Sequence, residues 1–129
     1  MDAATRAAVR ARADNRCEYC GRRQSTSPLI PLHIEHVIPR KHRGTDDADN
    51  LALACAECNL HKGSDLTGLD PDSGQVTSLF HPRRDRWVEH FRWDGFRVVG
   101  VSAIGRTTVR VLQLNAPARL RVRGATETD

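Results

Sequence analysis

The sequence predicts an α+β fold, and three observations carry that reading. "LHIEHVI" alternates apolar and polar residues as a half-buried strand does, and a short apolar strand, "NLALA", follows it across a charged loop. A helix, "CAECNLHKG", comes next and is stopped by Gly63. Near the C-terminus, "FRWDGFRVVGVS" reads as a hairpin turning at Asp94-Gly95, and Ser102 is placed to cap a further helix, "AIGRTTVRVLQLN".

In chain order, residues 3–13 are strong helix formers with small apolar residues at Ala4, Ala7, Ala8 and Ala11, and Asn15 is placed to close that helix. "STSPLIP" is turn-rich and leads into the first strand, which ends near Pro39. "RKHRGTDDAD" is the charged loop, with Gly44 as its pivot. Gly68, Pro71, Gly74 and Pro82 mark residues 64–82 as a long excursion over the surface. "RRDRWVEHF" reads as a helical turn opened by Pro82, and "APARLRVR" as a last turn before the polar tail "GATETD". Ile104, Val109 and Leu112 are core candidates of the last long helix. No internal repeat is present.

At 129 residues the chain has the length of one domain, so a single domain over 1–129 is expected, with a core at 17–63 and a C-terminal extension at 80–124. Twenty Lys and Arg against 16 Asp and Glu give +4, an excess that suits a polyanion without demanding one. No apolar run is long enough to span a membrane and the N-terminus lacks the apolar stretch of a secretory signal, so a soluble cytoplasmic protein is expected. Aromatics are only 5% of the chain, so a metal cross-link would help a loop-rich half to fold.

Cys17, Cys20, Cys55 and Cys58 form two Cys-x-x-Cys pairs. Two residues between thiolates let both sulfurs reach one tetrahedral ion, and four thiolates leave no open position, so the pattern predicts a structural zinc; free thiols or a disulfide are the alternative. Residues 21–54 separate the pairs, a longer gap than a zinc ribbon has, and the insert carries "HIEHVIPR". The zinc would therefore clamp both ends of a segment rich in titratable groups.

Within the clamp, Glu35 adjoins His36, and Asn59 stands on the helix after Cys58. Carboxylate and amide oxygens suit one hard cation, Mg²⁺ or Mn²⁺, and a neutral imidazole can take a proton from water. Asn50 could bond the loop or the imidazole. Together these residue types make a phosphodiester hydrolysis site, although a His-Glu pair on a strand also fits a solvated surface pair. Arg40, Lys41, Arg43 and Lys62 are candidate phosphate contacts, and His33, two residues before Glu35, is a secondary one. Trp87, Phe91 and Trp93 read as core, with base stacking beside Arg83, Arg84 and Arg86 as the other option.

"CEYC", "HIEHVIPR", the Gly44 loop, "DNL", "CAECN" and Lys62-Gly63 together resemble the HNH (His-Asn-His) endonucleases, in the branch whose ββα-metal core is braced by a four-cysteine zinc site. "FHPRRDRWVEHFRWDG" and "IGRTTVRVLQLN" are similar to the C-terminal extension of stand-alone bacterial members. The resemblance implies His36 as general base, Asn50 as orienting residue, Glu35 and Asn59 as ligands of one catalytic Mg²⁺ or Mn²⁺, and zinc on the four cysteines. It implies hydrolysis of nucleic acid, DNA foremost, to 5′-phosphate and 3′-hydroxyl ends, with no organic cofactor. The family's usual aspartate is Glu35 here, and its last histidine is Asn59. His61 lies about 200° round the helix from Asn59 and is not expected to share the ion. A zinc-stabilised module that binds nucleic acid without cutting it, or one that binds protein, is the alternative.

Overall fold

The computed structural model describes residues 1–127. In order, its elements are α1 (Ala3–Arg12), β1 (His33–His36), β2 (Leu51–Ala54), α2 (Ala56–Lys62), β3 (Thr67–Leu69), β4 (Val76–Ser78), α3 (Trp87–His90), β5 (Phe91–Asp94), β6 (Arg97–Gly100), α4 (Ala103–Val111) and α5 (Pro117–Glu127). The strands pair into antiparallel hairpins β1-β2, β3-β4 and β5-β6, giving the expected α+β class. The chain divides into two compact units, residues 1–64 with 81–85, and residues 65–80 with 86 onward. No helix among the described residues is long and apolar enough to cross a membrane.

In the first unit, Asp2 caps α1 by accepting from the Thr5 amide at 2.8 Å, and Val9 is the residue α1 buries. The helix stops where Asp14 and Asn15 take φ of 54° and 51°, the left-handed region that these two residue types tolerate best after glycine. Arg10 donates to the Leu32 carbonyl at 3.1 Å, and Arg12 to those of Ala48 and Leu51 at 2.9 and 2.7 Å, so α1 holds both ends of the first hairpin. In that hairpin His33 faces Ala54 and His36 faces Leu51. All four residues of β2 are 0% exposed. Burial on both faces explains why "LALA" is continuously apolar, and each fully buried leucine is worth roughly 2 kcal/mol. β1 departs from its expected alternation, because it buries the polar Glu35 and leaves Ile34 half-buried.

The loop between β1 and β2 closes on Gly44. A Cβ there would lie 1.5 Å from the Ile38 carbonyl oxygen and 2.9 Å from Asn50 Nδ2, so no larger residue fits without moving backbone. Gly44→Ala is expected to cost about 3 kcal/mol, by forced overpacking. Urea unfolding of the zinc-loaded chain measures this, and an unchanged midpoint would refute the packing argument.

The second unit corrects several sequence expectations. The segment read as a surface excursion, with no element assigned in it, holds the β3-β4 hairpin, with Thr67 opposite Ser78. Three-residue strands are too short to show a period of two. Asp70 organises their connection: it accepts from the Asp72 amide and the Ser73 hydroxyl, and takes Arg106 in a two-pronged pair at 3.0 and 2.9 Å. The C-terminal hairpin turns at Gly95-Phe96 and not at Asp94-Gly95, because Asp94 pairs with Arg97. Gly95 has φ of 59°, which fits the tight turn that takes glycine first. Arg86, not Pro82, precedes α3.

Ser102 caps α4 as expected, accepting from the Gly105 amide at 3.0 Å. The buried side of α4 is Gly105, Thr107 and Thr108, whereas Ile104 and Val109 are half-buried; Leu112 is fully buried just past its end. Thr108 belongs there because its hydroxyl takes the Phe80 amide at 2.9 Å and donates to the Ile104 carbonyl. The "last turn" is the eleven-residue helix α5, started by Pro117. Phe91 is core, but Trp93 is 47% exposed, lying against Trp87 and beneath the Arg123 guanidinium.

Candidate functional site

The four cysteine sulfurs lie within 4.8 Å of one another and all four residues are buried. Cys17 and Cys20 sit on a knuckle closed by the Cys17 amide donating to the Arg22 carbonyl, with Gly21 at φ 78°. Cys55 caps α2, its sulfur accepting from the Cys58 amide at 3.4 Å, and the Cys17 sulfur accepts from the Cys20 amide at 3.5 Å. Cys20 and Cys55 sulfurs are 3.7 Å apart. Bonds of about 2.3 Å to a central zinc put tetrahedral sulfurs about 3.8 Å apart, so the cluster has the dimensions of a structural zinc site.

The electrostatics agree. Burial, with the adjacent sulfurs, pushes the Cys17 thiol well up. The neighbouring sulfurs, Cys17 foremost, do the same to Cys58, while a hydrogen bond from Cys17 lowers Cys55. Without a cation only part of the cluster can ionise; a divalent ion at its centre removes that conflict.

The four-cysteine cluster ties the knuckle before β1 to the start of α2. Strand alternation sends Glu35 and His36 to opposite sides of β1, a separation that the adjacency of the two residues in sequence hides. Glu35 is buried, its Oε1 taking the Tyr19 hydroxyl and its Oε2 lying 3.7 Å from Lys62 Nζ. Lys62 also donates to the Val37 carbonyl at 2.9 Å. Burial pushes the Glu35 carboxyl up against the pull of Lys62 and Tyr19. Burial likewise drives the Tyr19 phenol well up, with the Glu35 charge adding to it, so Tyr19 stays a donor. Asn59 stands one helical turn before Lys62 and hence on the flank of α2 that Lys62 presents to β1. His33 is exposed at the start of β1, on the face of Glu35.

Lys62 is the clearest departure from expectation. It is 2% exposed and its ammonium serves Glu35 and a backbone carbonyl, so it is not a phosphate contact on the surface. Its stem follows α2 into the core, a placement that a charged letter beside Gly63 does not reveal. Arg40, Lys41 and Arg43 are exposed, on the turn directly after Pro39.

On the other side of β1, His36 Nε2 lies 2.7 Å from Asp46 Oδ1. Arg40 donates to both Asp46 oxygens at 3.0 and 3.3 Å, and the chain's amino terminus is 3.8 Å away. The hydrogen bond from His36, then the Arg40 charge, hold the Asp46 carboxyl below its ordinary value. Asn50 spends its amide on the loop: Oδ1 accepts from the Ile38 amide at 2.9 Å, and Nδ2 donates to the Ile38 and Thr45 carbonyls at 3.0 and 2.8 Å. Of the two partners open to it in the sequence, Asn50 therefore takes the loop.

Tyr19 and Asp46 were not singled out from the sequence. Tyr19 lies between two cysteines of the cluster, where a buried aromatic is a faint sign of an inward-facing knuckle. Asp46 is one of three aspartates in "DDAD", and only the loop's closure selects it.

Comparison with known proteins completes the picture. Residues 17–65 match the family HNH endonuclease. The Septu protein PtuB of Bacillus thuringiensis is 27% identical over 110 residues, which cover 84% of this chain and 40% of that protein. The chain thus spans about 40% of the length of that curated relative. No solved structure matches the chain.

Proposed function

We propose that residues 17–65, which match the HNH endonuclease family, hydrolyse nucleic-acid phosphodiester bonds, DNA foremost, with His36 as the general base. The observation that carries this reading is the setting of His36: it is held at the end of a zinc-braced strand, with its Nε2 engaged by Asp46. A carboxylate only accepts hydrogen bonds, so the ring proton sits on Nε2 and the neutral ring's Nδ1 is the nitrogen that takes a proton from water. The hydroxide so formed adds to phosphorus, and the 3′ oxygen leaves and acquires a proton. Asn50 keeps the loop shut around this arrangement, and Arg40, Lys41 and Arg43 contact the phosphate backbone beside the cut.

Glu35 and Asn59 would hold a single Mg²⁺ or Mn²⁺. Their oxygens are the donors such an ion prefers, and Glu35 is a buried carboxylate on the strand that α2 packs against. When bound, the ion would offset the charge that builds on the phosphate and the leaving oxygen. Tyr19 and Lys62 fix the carboxylate's rotamer from behind. A reducing, cytoplasmic setting that keeps the four cysteines from pairing as disulfides belongs to the same reading.

Lys62 favours a second reading. Its ammonium already neutralises Glu35 in part, as a module that binds nucleic acid without a catalytic metal would require. Supercoiled plasmid separates the two. Cutting should need added Mg²⁺ or Mn²⁺, stop with EDTA at concentrations that leave the zinc in place, and fall about 10- to 100-fold in Asn59→Ala. Salt-sensitive plasmid binding without cutting, in any metal, would select the binding module.

A further inference from the structure

We propose that Asp46 is the positioning residue of His36, fixing which ring nitrogen is free to act; this rests on His36 being the base proposed above. The contact is a short 2.7 Å one, between a ring whose side chain is 19% exposed and an aspartate that is 44% exposed. The imidazole is thus packed in place, and one carboxylate meets it from the rim. Asp46 is itself constrained. Arg40 grips both its oxygens, and Asn50 holds the preceding residue by donating to the Thr45 carbonyl at 2.8 Å. Gly44, one residue earlier, is pressed against Ile38. The path of constraint therefore runs from Asn50 through Thr45 to Asp46 and then to the ring, and it gives Asn50 an orienting effect without any bond to the imidazole.

The other acids of the loop do not compete for the role. Asp47 takes the Thr45 hydroxyl at 3.0 Å, whereas Asp46 is the acid bonded to the His36 ring among the described residues. An imidazole in water exchanges between its two tautomers; a carboxylate fixed at Nε2 selects the one whose Nδ1 lone pair is free. Partners that orient metal-ligating histidines typically alter activity by about 10- to 100-fold, and the same scale is expected for one that orients a general base.

The test uses the zinc-loaded full chain with ¹⁵N-labelled histidine, reading the His36 tautomer from its two ring-nitrogen shifts and assigning it with His36→Gln. The wild type should show the Nε2–H form, and Asp46→Ala should show averaged tautomers. On supercoiled plasmid, Asp46→Ala should lose about 10- to 100-fold in kcat with KM within about twofold, and Asp46→Glu should recover both tautomer and rate. A merely structural loop residue would lower the folded fraction without changing the tautomer of the molecules still folded. Averaged tautomers in a wild type that cuts, or full kcat in Asp46→Ala, overturns the role of Asp46 alone. A fixed Nε2–H tautomer in a wild type that cuts nothing overturns the nuclease reading, and with it any catalytic purpose for Asp46.

Discussion

Cys58→Ser leaves the chain without bound zinc and opens the amides of residues 51–54 to rapid hydrogen exchange. Cys58 is 0% exposed and one of four sulfurs drawn within 4.8 Å of each other. Serine offers a weaker ligand and leaves three sulfurs around a divalent ion. A structural zinc in a small domain contributes about 10 to 16 kcal/mol of apparent binding free energy, against a total stability of about 5 to 15 kcal/mol. Losing it removes as much as the whole margin. The effect reaches β2 because Cys55 directly follows that strand and Glu18, beside Cys17, accepts from the Leu53 amide at 2.9 Å. Zinc content by mass spectrometry and exchange rates for the 51–54 peptide measure the two halves of the prediction. Full protection of that peptide in the zinc-free chain would show that the apolar core alone suffices and that the metal is ornamental.

The same residues show what a sequence can disclose of this fold. Cysteine spacing is a local property, and the quartet assembles as its two Cys-x-x-Cys pairs imply. The limits of α1, β1, β2 and α2 also follow from local signals: Asp2 and Cys55 at N-termini, Gly63 at a C-terminus, and an apolar run set beside an alternating one. The 64–82 segment was opaque for the opposite reason. Its strands have three residues each, and their connection is tied to α4 by the pairing of Asp70 with Arg106, which are far apart in sequence. Trp93 misled because the hairpin that carries it places the ring at an exposed edge, a matter of tertiary placement that residue type does not determine.

The site divides along the same line. Glu35, His36, Asn50 and Asn59 stand out by type and order, but the face each one occupies does not. The period of two puts Glu35 and His36 on opposite sides, and the charge on Lys62 suggests solvent when the helix carries it to a buried carboxylate. Those partners are set by packing between segments separated by tens of residues, which is where local pattern loses its authority.

His36→Ala should retain fold and zinc and lose cutting. The bond to a partly exposed aspartate contributes about 0 to 1 kcal/mol, and loss of the largely buried ring adds about 1 kcal/mol of packing, so the thermal midpoint should fall by several degrees with the chain still folded. Catalysis has no such reserve. Removing a positioned general base costs about 10²- to 10⁴-fold, because water must then surrender its proton to bulk solvent as it attacks phosphorus. Plasmid cleavage in Mg²⁺ or Mn²⁺, timed against wild type at matched zinc content, gives the ratio, and added imidazole should restore part of the rate by supplying the missing base from solution. The comparison with Cys58→Ser makes the result interpretable. One substitution removes the metal brace and the fold with it; the other leaves both intact and removes a single proton acceptor. If His36→Ala cuts at the wild-type rate, the base lies elsewhere, and the zinc-braced strand is a scaffold for a different side chain.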